Sequence, residues 1–346
     1  MKRMKQALTW ALALVMALNL TACGQSGTQT AGSWEPSAQT EQETPTEEVV
    51  TARVAALKGP TAMGLVQLMD ESAANEAEQK YDFTLAGSAD EVTPALMKGE
   101  LDMACVPANL AAVLYNKTEG QIVTLAVNTL GVLYIVESGE SVQSMEDLRG
   151  QTIVAAGKGS TPEYALRYLL AENGIDPDSD VTIDWKSEHS ECVAALAGGQ
   201  ATIALLPQPF VTVAQTKIKG LRTALDLTEE WNRLDNGSTL ITGVVAARRD
   251  FVESHPAAVA QFLDDYAASV DWVNANPADA AELISSFGII EAAPVAEKAL
   301  PYCNIVCMTG EEMHAKLAGY LQVLYDADNA AVGGALPQDD FYYSAD

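Results

Sequence analysis

The sequence predicts an α/β fold made of two similar lobes, and two observations support this prediction. A segment of the chain recurs one hundred residues further on, and in both copies apolar runs alternate with helical patterns. Strands that alternate with helices are typical of a sheet covered by helices. Two matched units of this kind on one chain are expected to face each other across a cleft.

The repeat is visible in the letters. Residues 54–61 read VAALKGPT and residues 154–161 read VAAGKGST, which are identical at six of eight positions. About forty residues later, at the same offset, Ala, Leu, Gly, Ala and Pro stand at 95, 96, 99, 104 and 107 and again at 195, 196, 199, 204 and 207. Two matches in one register favour structural repetition over two unrelated strand–loop–helix units of similar composition.

Each copy begins with an apolar strand, at 54–57 and 152–156, followed by a glycine-bearing loop and a helix. The second helix has a clear start, since Ser160-Thr161-Pro162-Glu163 supplies a hydroxyl cap, a proline and an acidic residue in the first turn. A further strand, helix and strand follow at 81–86, 90–98 and 101–106, and at 181–185, 190–197 and 202–206.

The remaining residues, 243–346, predict one strand at 243–247 and then helices at 251–254, 257–274, 277–287 and 311–325. Helices with so little further strand should pack on an existing lobe. We therefore expect the chain to cross near 131–137 and return near 238–244, which makes a two-strand hinge. The predicted lobes are 51–134 with 243–346, and 135–242.

The first residues are typical of an export signal. Basic residues precede an apolar stretch, 7–18, that is shorter than the roughly 20 residues of a membrane span. Leu20-Thr21-Ala22-Cys23 resembles a bacterial lipobox, which implies cleavage after residue 22 and a lipid anchor on Cys23. An ordinary secretory signal or an uncleaved anchor is the alternative. Residues 23–50 are polar and predict a disordered tether to the extracytoplasmic face of the cell membrane.

Charge and cysteine content exclude several classes. The net charge is −27. The charged residues of the predicted leader are all basic, so its removal makes the net charge more negative, and nucleic acid is excluded as a partner. Cys105, Cys192, Cys303 and Cys307 are too few for a disulfide scaffold. No His or acidic residue lies between the last two, so buried thiols or one local disulfide are expected there. We predict a monomer with no metal and no cofactor.

Ligands of open α/β sheets bind beyond the carboxyl ends of the strands. Two Lys-Gly-x-Thr loops are predicted there, with Lys58, Gly59 and Thr61 in one and Lys158, Gly159, Ser160 and Thr161 in the other. Free backbone N–H groups, a hydroxyl and a lysine suit a carboxylate, sulfonate, phosphate or polarised heterocycle. Both lysines could equally be solvated loop residues. A nucleotide phosphate loop is excluded, because Thr152 stands where glycine is required and Gly159 follows Lys158.

Residues 95–102 (ALMKGELD), 145–153 (MEDLRGQTI) and 250–256 (DFVESHP) resemble the nitrate/sulfonate/thiamine-precursor class of ABC importer solute-binding proteins, the taurine- and alkanesulfonate-like group. The resemblance implies the type II periplasmic binding fold, a small organic or anionic solute between two lobes, and permease and ATPase partners. Ala201-Thr202-Ile203 departs from the Val-Asp-Ala common in the class, so one acidic group is missing.

Carried over by position, the ligand loops of this class add Ser88, Asn109, Asn128, His189 and Gln208 to the candidate binding residues. An enzyme on the same fold, a pyrimidine-precursor synthase or a dehydratase, is the main alternative. Neither the cysteine-rich motif of that synthase nor a His-Glu-x-x-His or Gly-x-Ser-x-Gly motif is present. We therefore predict that the protein is not an enzyme. A sensory lipoprotein without transport stays open.

The lipobox gives the first prediction. We expect Cys23→Ala to release the protein from the membrane fraction or to block its processing, because the thiol that accepts the lipid is gone. Cell fractionation and the mass of the mature protein measure both effects. A Cys23→Ala chain that is processed as before and stays in the membrane fraction would contradict the lipobox.

Overall fold

The computed structural model describes residues 50–344, all of them within one compact unit, Glu48–Asp346. The predicted signal peptide, Cys23 and the tether up to residue 49 lie outside the described residues. Among residues 50–344, no helix is both long enough and apolar enough to cross a bilayer.

Two sheets organise the chain. The first contains β1 (Thr51–Leu57), β2 (Lys80–Ala86), β3 (Met103–Pro107), β4 (Ile122–Leu130), β10 (Ile241–Arg248) and β11 (Ile305–Met308), in the order β11-β4-β10-β3-β1-β2. The second contains β5 (Leu133–Glu137), β6 (Thr152–Ala156), β7 (Thr182–Lys186), β8 (Ile203–Pro207) and β9 (Arg222–Asp226), in the order β7-β6-β8-β5-β9.

The two sheets repeat one pattern. Strand β1 pairs in parallel with β2 and β3, and β6 pairs in parallel with β7 and β8. An antiparallel strand comes next in each sheet, β10 beside β3 and β5 beside β8. Each of these antiparallel strands is the first one formed after the chain crosses from the other sheet. The two-lobe type II fold predicted from the sequence is confirmed.

The crossings are short. The chain leaves the first sheet at Leu130 and enters the second at Leu133, and it returns through residues 234–240 to Ile241. Asn304 fixes the first crossing to the first lobe, because its backbone carbonyl accepts a hydrogen bond from Leu130 N at 3.1 Å and its side chain donates to Gly131 O at 2.5 Å. The lobe boundaries after residues 134 and 242 fall inside β5 and β10 and stay a prediction.

Helices cover both sheets. The first lobe carries α1 (Pro60–Met63), α2 (Val66–Ala74), α3 (Ala89–Lys98), α4 (Ala108–Lys117), α9 (Arg249–Ser254), α10 (Pro256–Ala275), α11 (Pro277–Ser286), α12 (Ala293–Ala299) and α13 (Gly310–Ala327). The second carries α5 (Thr161–Glu172), α6 (His189–Ala197), α7 (Phe210–Lys217) and α8 (Leu227–Arg233). Short 3₁₀ turns lie at Met145–Leu148, Leu300–Tyr302, Asn329–Val332 and Asp339–Phe341.

The expectation of one strand in residues 243–346 was wrong, because β11 pairs antiparallel with β4 at the sheet edge. Four residues are too few to show a strand period, and the neighbouring helices dominate the apolar pattern. The short helix α12 was also missed.

An apolar core runs through the junction of the lobes. Trp231 of α8 and Tyr320 of α13 are fully buried, with ring centroids 5.6 Å apart. Tyr168 of α5 extends the stack, 4.9 Å from Trp231. Because α8 and α5 lie in the second lobe and α13 packs on the first, the stack joins both lobes near the return crossing.

Glu137, at the end of β5, is a buried carboxylate with several donors. It is 2% exposed and accepts hydrogen bonds from the Ser141 and Val142 N–H groups at 2.8 and 3.2 Å and from the Arg222 guanidinium at 2.6 Å. Burial alone would raise the pKa of Glu137, but these donors outweigh burial and hold its pKa below the ordinary 4.5.

We expect Glu137→Gln to lower the free energy of unfolding at neutral pH by about 1–3 kcal/mol, because the charged hydrogen bonds are lost while the shape is kept. A folded pKa below the unfolded one means that ionised Glu137 stabilises the fold above pH 4.5, and that this contribution is lost as the pH falls through the folded value. The difference from the unmodified protein should therefore shrink in acid.

Urea unfolding at neutral and at acid pH measures the loss of unfolding free energy at neutral pH and its expected decrease in acid. The exposed Glu146, in the same lobe, provides the matched control Glu146→Gln. Equal losses for the two variants would contradict the role of Glu137.

Candidate functional site

The first Lys-Gly-x-Thr loop follows β1. Lys58 N donates to Ala86 O at 2.9 Å, which holds the loop beside the end of β2. Gly59 has φ +138°, a value that a side chain disfavours. The Thr61 hydroxyl donates to Leu57 O at 3.0 Å, so this side chain braces the loop, whereas Lys58 is exposed.

The second loop follows β6 and has similar backbone requirements. Gly157 and Gly159 have φ of +86° and +77°. The Ser160 hydroxyl donates to Gly157 O at 2.8 Å. Lys158 and Gly159 are exposed, whereas Thr161, the first residue of α5, is fully buried. The loop therefore turns its threonine inward and its lysine to solvent.

Thr161 is buried because it meets the other lobe. Its hydroxyl donates to Asn109 Oδ1 at 3.3 Å, and Asn109 Nδ2 donates to Ala331 O at 3.0 Å and, at 3.5 Å, to Gly159 O. Asn109 is the second residue of α4, in the first lobe, and is also fully buried. The predicted residues Asn109, Gly159 and Thr161 thus form a direct contact between the lobes.

Asn128 lies on β4 behind the first loop. It is fully buried, its Oδ1 accepts from the Thr129 hydroxyl at 2.9 Å, and its Nδ2 has no hydrogen-bond partner among residues 50–344. The neighbouring Gly243 of β10 was missed by sequence reasoning. A β-carbon there would lie 2.5 Å from Asn128 Oδ1 and 2.7 Å from Thr61 Cγ2, so only glycine leaves room for both side chains.

The remaining candidates lie at helix starts. Ser88 caps α3, and its N and Oγ donate to Glu91 Oε1 at 3.0 and 3.1 Å. His189 begins α6 and stacks on Phe210 with ring centroids 5.3 Å apart. Burial lowers the pKa of His189 to about 4, so the imidazole is uncharged at neutral pH.

Gln208 lies between the end of β8 and the start of α7. Its Oε1 accepts from Thr212 N and Oγ1 at 3.3 and 2.9 Å, so the amide oxygen is bonded within its own lobe.

On the opposite side of the cleft, a β-carbon at Gly87 would lie 3.4 Å from Glu91 Oε1 and 4.0 Å from Glu188 Oε1. The 87–88 loop of the first lobe therefore approaches the start of α6 in the second lobe.

The cysteines play no visible part in this site. All four in the described chain are free, so the alternative of a Cys303–Cys307 disulfide is not realised. Burial raises the pKa of Cys105 to about 12 and that of Cys307 to about 11, which leaves both thiols protonated and unreactive. Within residues 50–344, no group of three or more His, Cys, Asp or Glu side chains could hold a metal ion.

Two α/β lobes whose loops meet at the carboxyl ends of their parallel strands match the architecture of ABC importer solute-binding proteins. A family model described as "ABC transporter, phosphonate, periplasmic substrate-binding protein" matches residues 67–300, and the chain belongs to this family. The class predicted from the sequence is confirmed. Solute-binding proteins of this family are not enzymes.

Individual relatives are distant. A binding protein of Brucella abortus (strain 2308) is 24% identical over 219 residues, which is 63% of this chain and 64% of that protein, just under two thirds of its length. An ABC transporter structure from Parabacteroides distasonis has 23% identity and TM-score 0.71, covering 86% of this chain and 100% of that one.

Two further similar structures are of proteins named for the solute they bind. The aliphatic sulphonate-binding protein SsuA from Escherichia coli has 17% identity and TM-score 0.67, covering 84% of this chain and 95% of that one. The periplasmic nitrate-binding protein NrtA from Synechocystis PCC 6803 has 15% identity and TM-score 0.56, covering 73% of this chain and 69% of that one. At these identities the similarity shows the fold.

The space around Gly243 gives a paired prediction. We expect Gly243→Ala to lower the free energy of unfolding by about 1–3 kcal/mol, because the added methyl group forces Asn128 and Thr61 apart. Gly319, inside α13, is the control, since a β-carbon there meets nothing closer than 3.7 Å. Gly319→Ala should be neutral or stabilising by up to about 1 kcal/mol. Thermal and urea unfolding measure both, and equal effects would show that the space at Gly243 is not tight.

Proposed function

We propose that the protein is an extracytoplasmic, lipid-anchored solute-binding protein that closes two lobes on one small molecule and presents it to an ABC permease and its ATPase. The contact between Asn109 and Thr161 is the observation on which the proposal rests. It joins a helix start of each lobe at the end of the sheets where ligands of α/β folds bind.

The proposed binding residues come from both lobes. The first lobe contributes Lys58, Gly59, Thr61, Ser88, Asn109 and Asn128, and the second contributes Lys158, Gly159, Ser160, Thr161, His189 and Gln208. Neither set is complete alone, so binding and closure are coupled. A ligand shifts the equilibrium toward the closed form only by the contacts that exist in that form alone.

The solute is a small organic or anionic molecule in the range that related proteins take, since SsuA is named for aliphatic sulphonates and NrtA for nitrate. The anchor is the lipid on Cys23, and the protein acts as a monomer. No cofactor takes part, because capture and release need only hydrogen bonds, packing and lobe movement.

Thr161→Val tests the coupling. We expect it to weaken solute binding by about 1–3 kcal/mol, or roughly 10- to 100-fold, because valine keeps the shape and removes the hydroxyl that meets Asn109. Thr216→Val is the matched control, since its exposed hydroxyl donates only to Thr212 O within α7. Calorimetric titration with the transported solute measures affinity, and equal affinities for both variants would contradict the coupling.

Transport is tested separately. Deleting the gene should abolish uptake of the solute by cells, and restoring the wild-type protein should recover uptake. X-ray scattering of the full chain should show a smaller radius of gyration with solute than without it. Tight binding without compaction and without loss of uptake in the deletion strain would favour a sensory lipoprotein instead.

A further inference from the structure

A side cavity lies between the two lobes, next to the aromatic stack of the junction. Its volume is about 560 Å³, and its walls come from α5 of the second lobe and from the end of α13 on the first. Asn236 of the return crossing also lines it and donates to the Tyr168 hydroxyl at 3.1 Å. Among residues 50–344, those that line the side cavity include none of the residues proposed to bind the solute. Volumes of roughly 300–1,000 Å³ are typical of small-molecule sites.

Both walls of the side cavity lead directly to the contact between Asn109 and Thr161. Thr161 is the first residue of α5, and residues of the same helix between 164 and 172 form one wall. The other wall ends at Asp328, and three residues later Ala331 O accepts the hydrogen bond from Asn109 Nδ2 at 3.0 Å. Because a helix moves as a rigid element, a molecule that bridges the walls restrains the two parts of the chain that form the contact.

The walls suit the flat apolar part of a small molecule. Tyr164 and Tyr168 are four residues apart on α5, so their half-buried rings share one face of the helix. The buried Leu324 of α13 lines the cavity with them. Burial, and then the negative charge of Asp328, raise the pKa of Tyr164. Its phenol therefore stays protonated at neutral pH and can donate a hydrogen bond to an occupant.

The charged groups of the side cavity favour a cation. Its lining contains three carboxylates, those of Glu172, Asp326 and Asp328, and one guanidinium, that of Arg167. Arg167 is already bonded to a carboxylate outside the lining, because both oxygens of Asp178 lie 2.9 Å from its Nη2. The surplus of negative charge lies beside tyrosine rings, whose faces also attract organic cations. Shape and charge therefore point to the same kind of occupant.

We infer that the side cavity is a second ligand site, which takes a small organic cation with a flat apolar part, of the arylalkylamine type. Such an occupant favours the arrangement of the lobes in which Asn109 and Thr161 meet, because it contacts both walls at once in that arrangement. The site thus regulates how readily the lobes part. The inference goes beyond the proposed function, and its failure leaves the capture of a solute in the cleft untouched.

Three probes with the same ring and different charge test the ligand class. The full chain is titrated calorimetrically at neutral pH with phenethylamine, phenethyl alcohol and phenylacetate, which are a cation, a neutral molecule and an anion. We expect a dissociation constant of about 1 mM or below for the amine, at least about 3-fold weaker binding of the alcohol, and no binding of phenylacetate. Added salt should weaken amine binding. No binding of the amine, or equal binding of all three, would overturn the inference.

Two variants test the location of the amine. Ala171→Phe places a ring in the side cavity, and Asp328→Asn removes one charge while it keeps an acceptor for Ala330 N, now 2.9 Å away. Each should weaken phenethylamine binding by at least about 5-fold. Asp264→Asn is the matched control, because Asp264 is exposed on α10 and is not among the lining residues. Unchanged affinity in both cavity variants would place the amine elsewhere and refute the site.

The coupling to the lobes has its own test. Thr161 does not line the side cavity, but Thr161→Val weakens the arrangement that the amine favours, and coupling between two sites is reciprocal. We expect this variant to bind phenethylamine at least about 3-fold more weakly than the wild type, and Thr216→Val to bind it equally well. Equal affinities of the two variants would refute the coupling. The proposed function fails instead on uptake and on compaction with its solute, neither of which these titrations measure.

Discussion

The contact between the lobes depends on the requirement that buried polar groups form hydrogen bonds. Asn109 and Thr161 are both fully buried and bond to each other across the lobes, while Asn109 Nδ2 also donates to Ala331 O of its own lobe. Leaving either group buried without its partner would cost about 1–3 kcal/mol, whereas water can bond to both when the lobes part. Opening exchanges one set of hydrogen bonds for another at nearly equal free energy. A modest contribution from a solute is therefore enough to decide between the two states.

The same exchange cannot take place at the junction of the lobes. Trp231 and Tyr320 bury large apolar rings against each other, and water offers these rings nothing in return. The lobes should consequently stay joined at the aromatic stack and separate at the loops. The short crossing through Gly131 supports a rotation about this junction, because Asn304 holds the crossing to the first lobe. We therefore expect any movement of the lobes to separate the polar part of the interface and to leave the aromatic stack in place.

The sequence predicted the architecture because the repeat carries strong local signals. The Val-Ala-Ala strands agree with what the structure forms, and α5 begins where the Ser160-Thr161-Pro162-Glu163 pattern predicts. The predicted hydroxyl cap was wrong, because the Ser160 side chain donates back to Gly157 O and does not bond to a helix N–H group. The sequence could not predict β11, because its four residues show no strand period. Nor could it predict that position 243 must be glycine, because that requirement comes from side chains of β4 and of the first loop. The Thr161–Asn109 contact joins residues 52 apart in the chain, and no local pattern shows such a pairing.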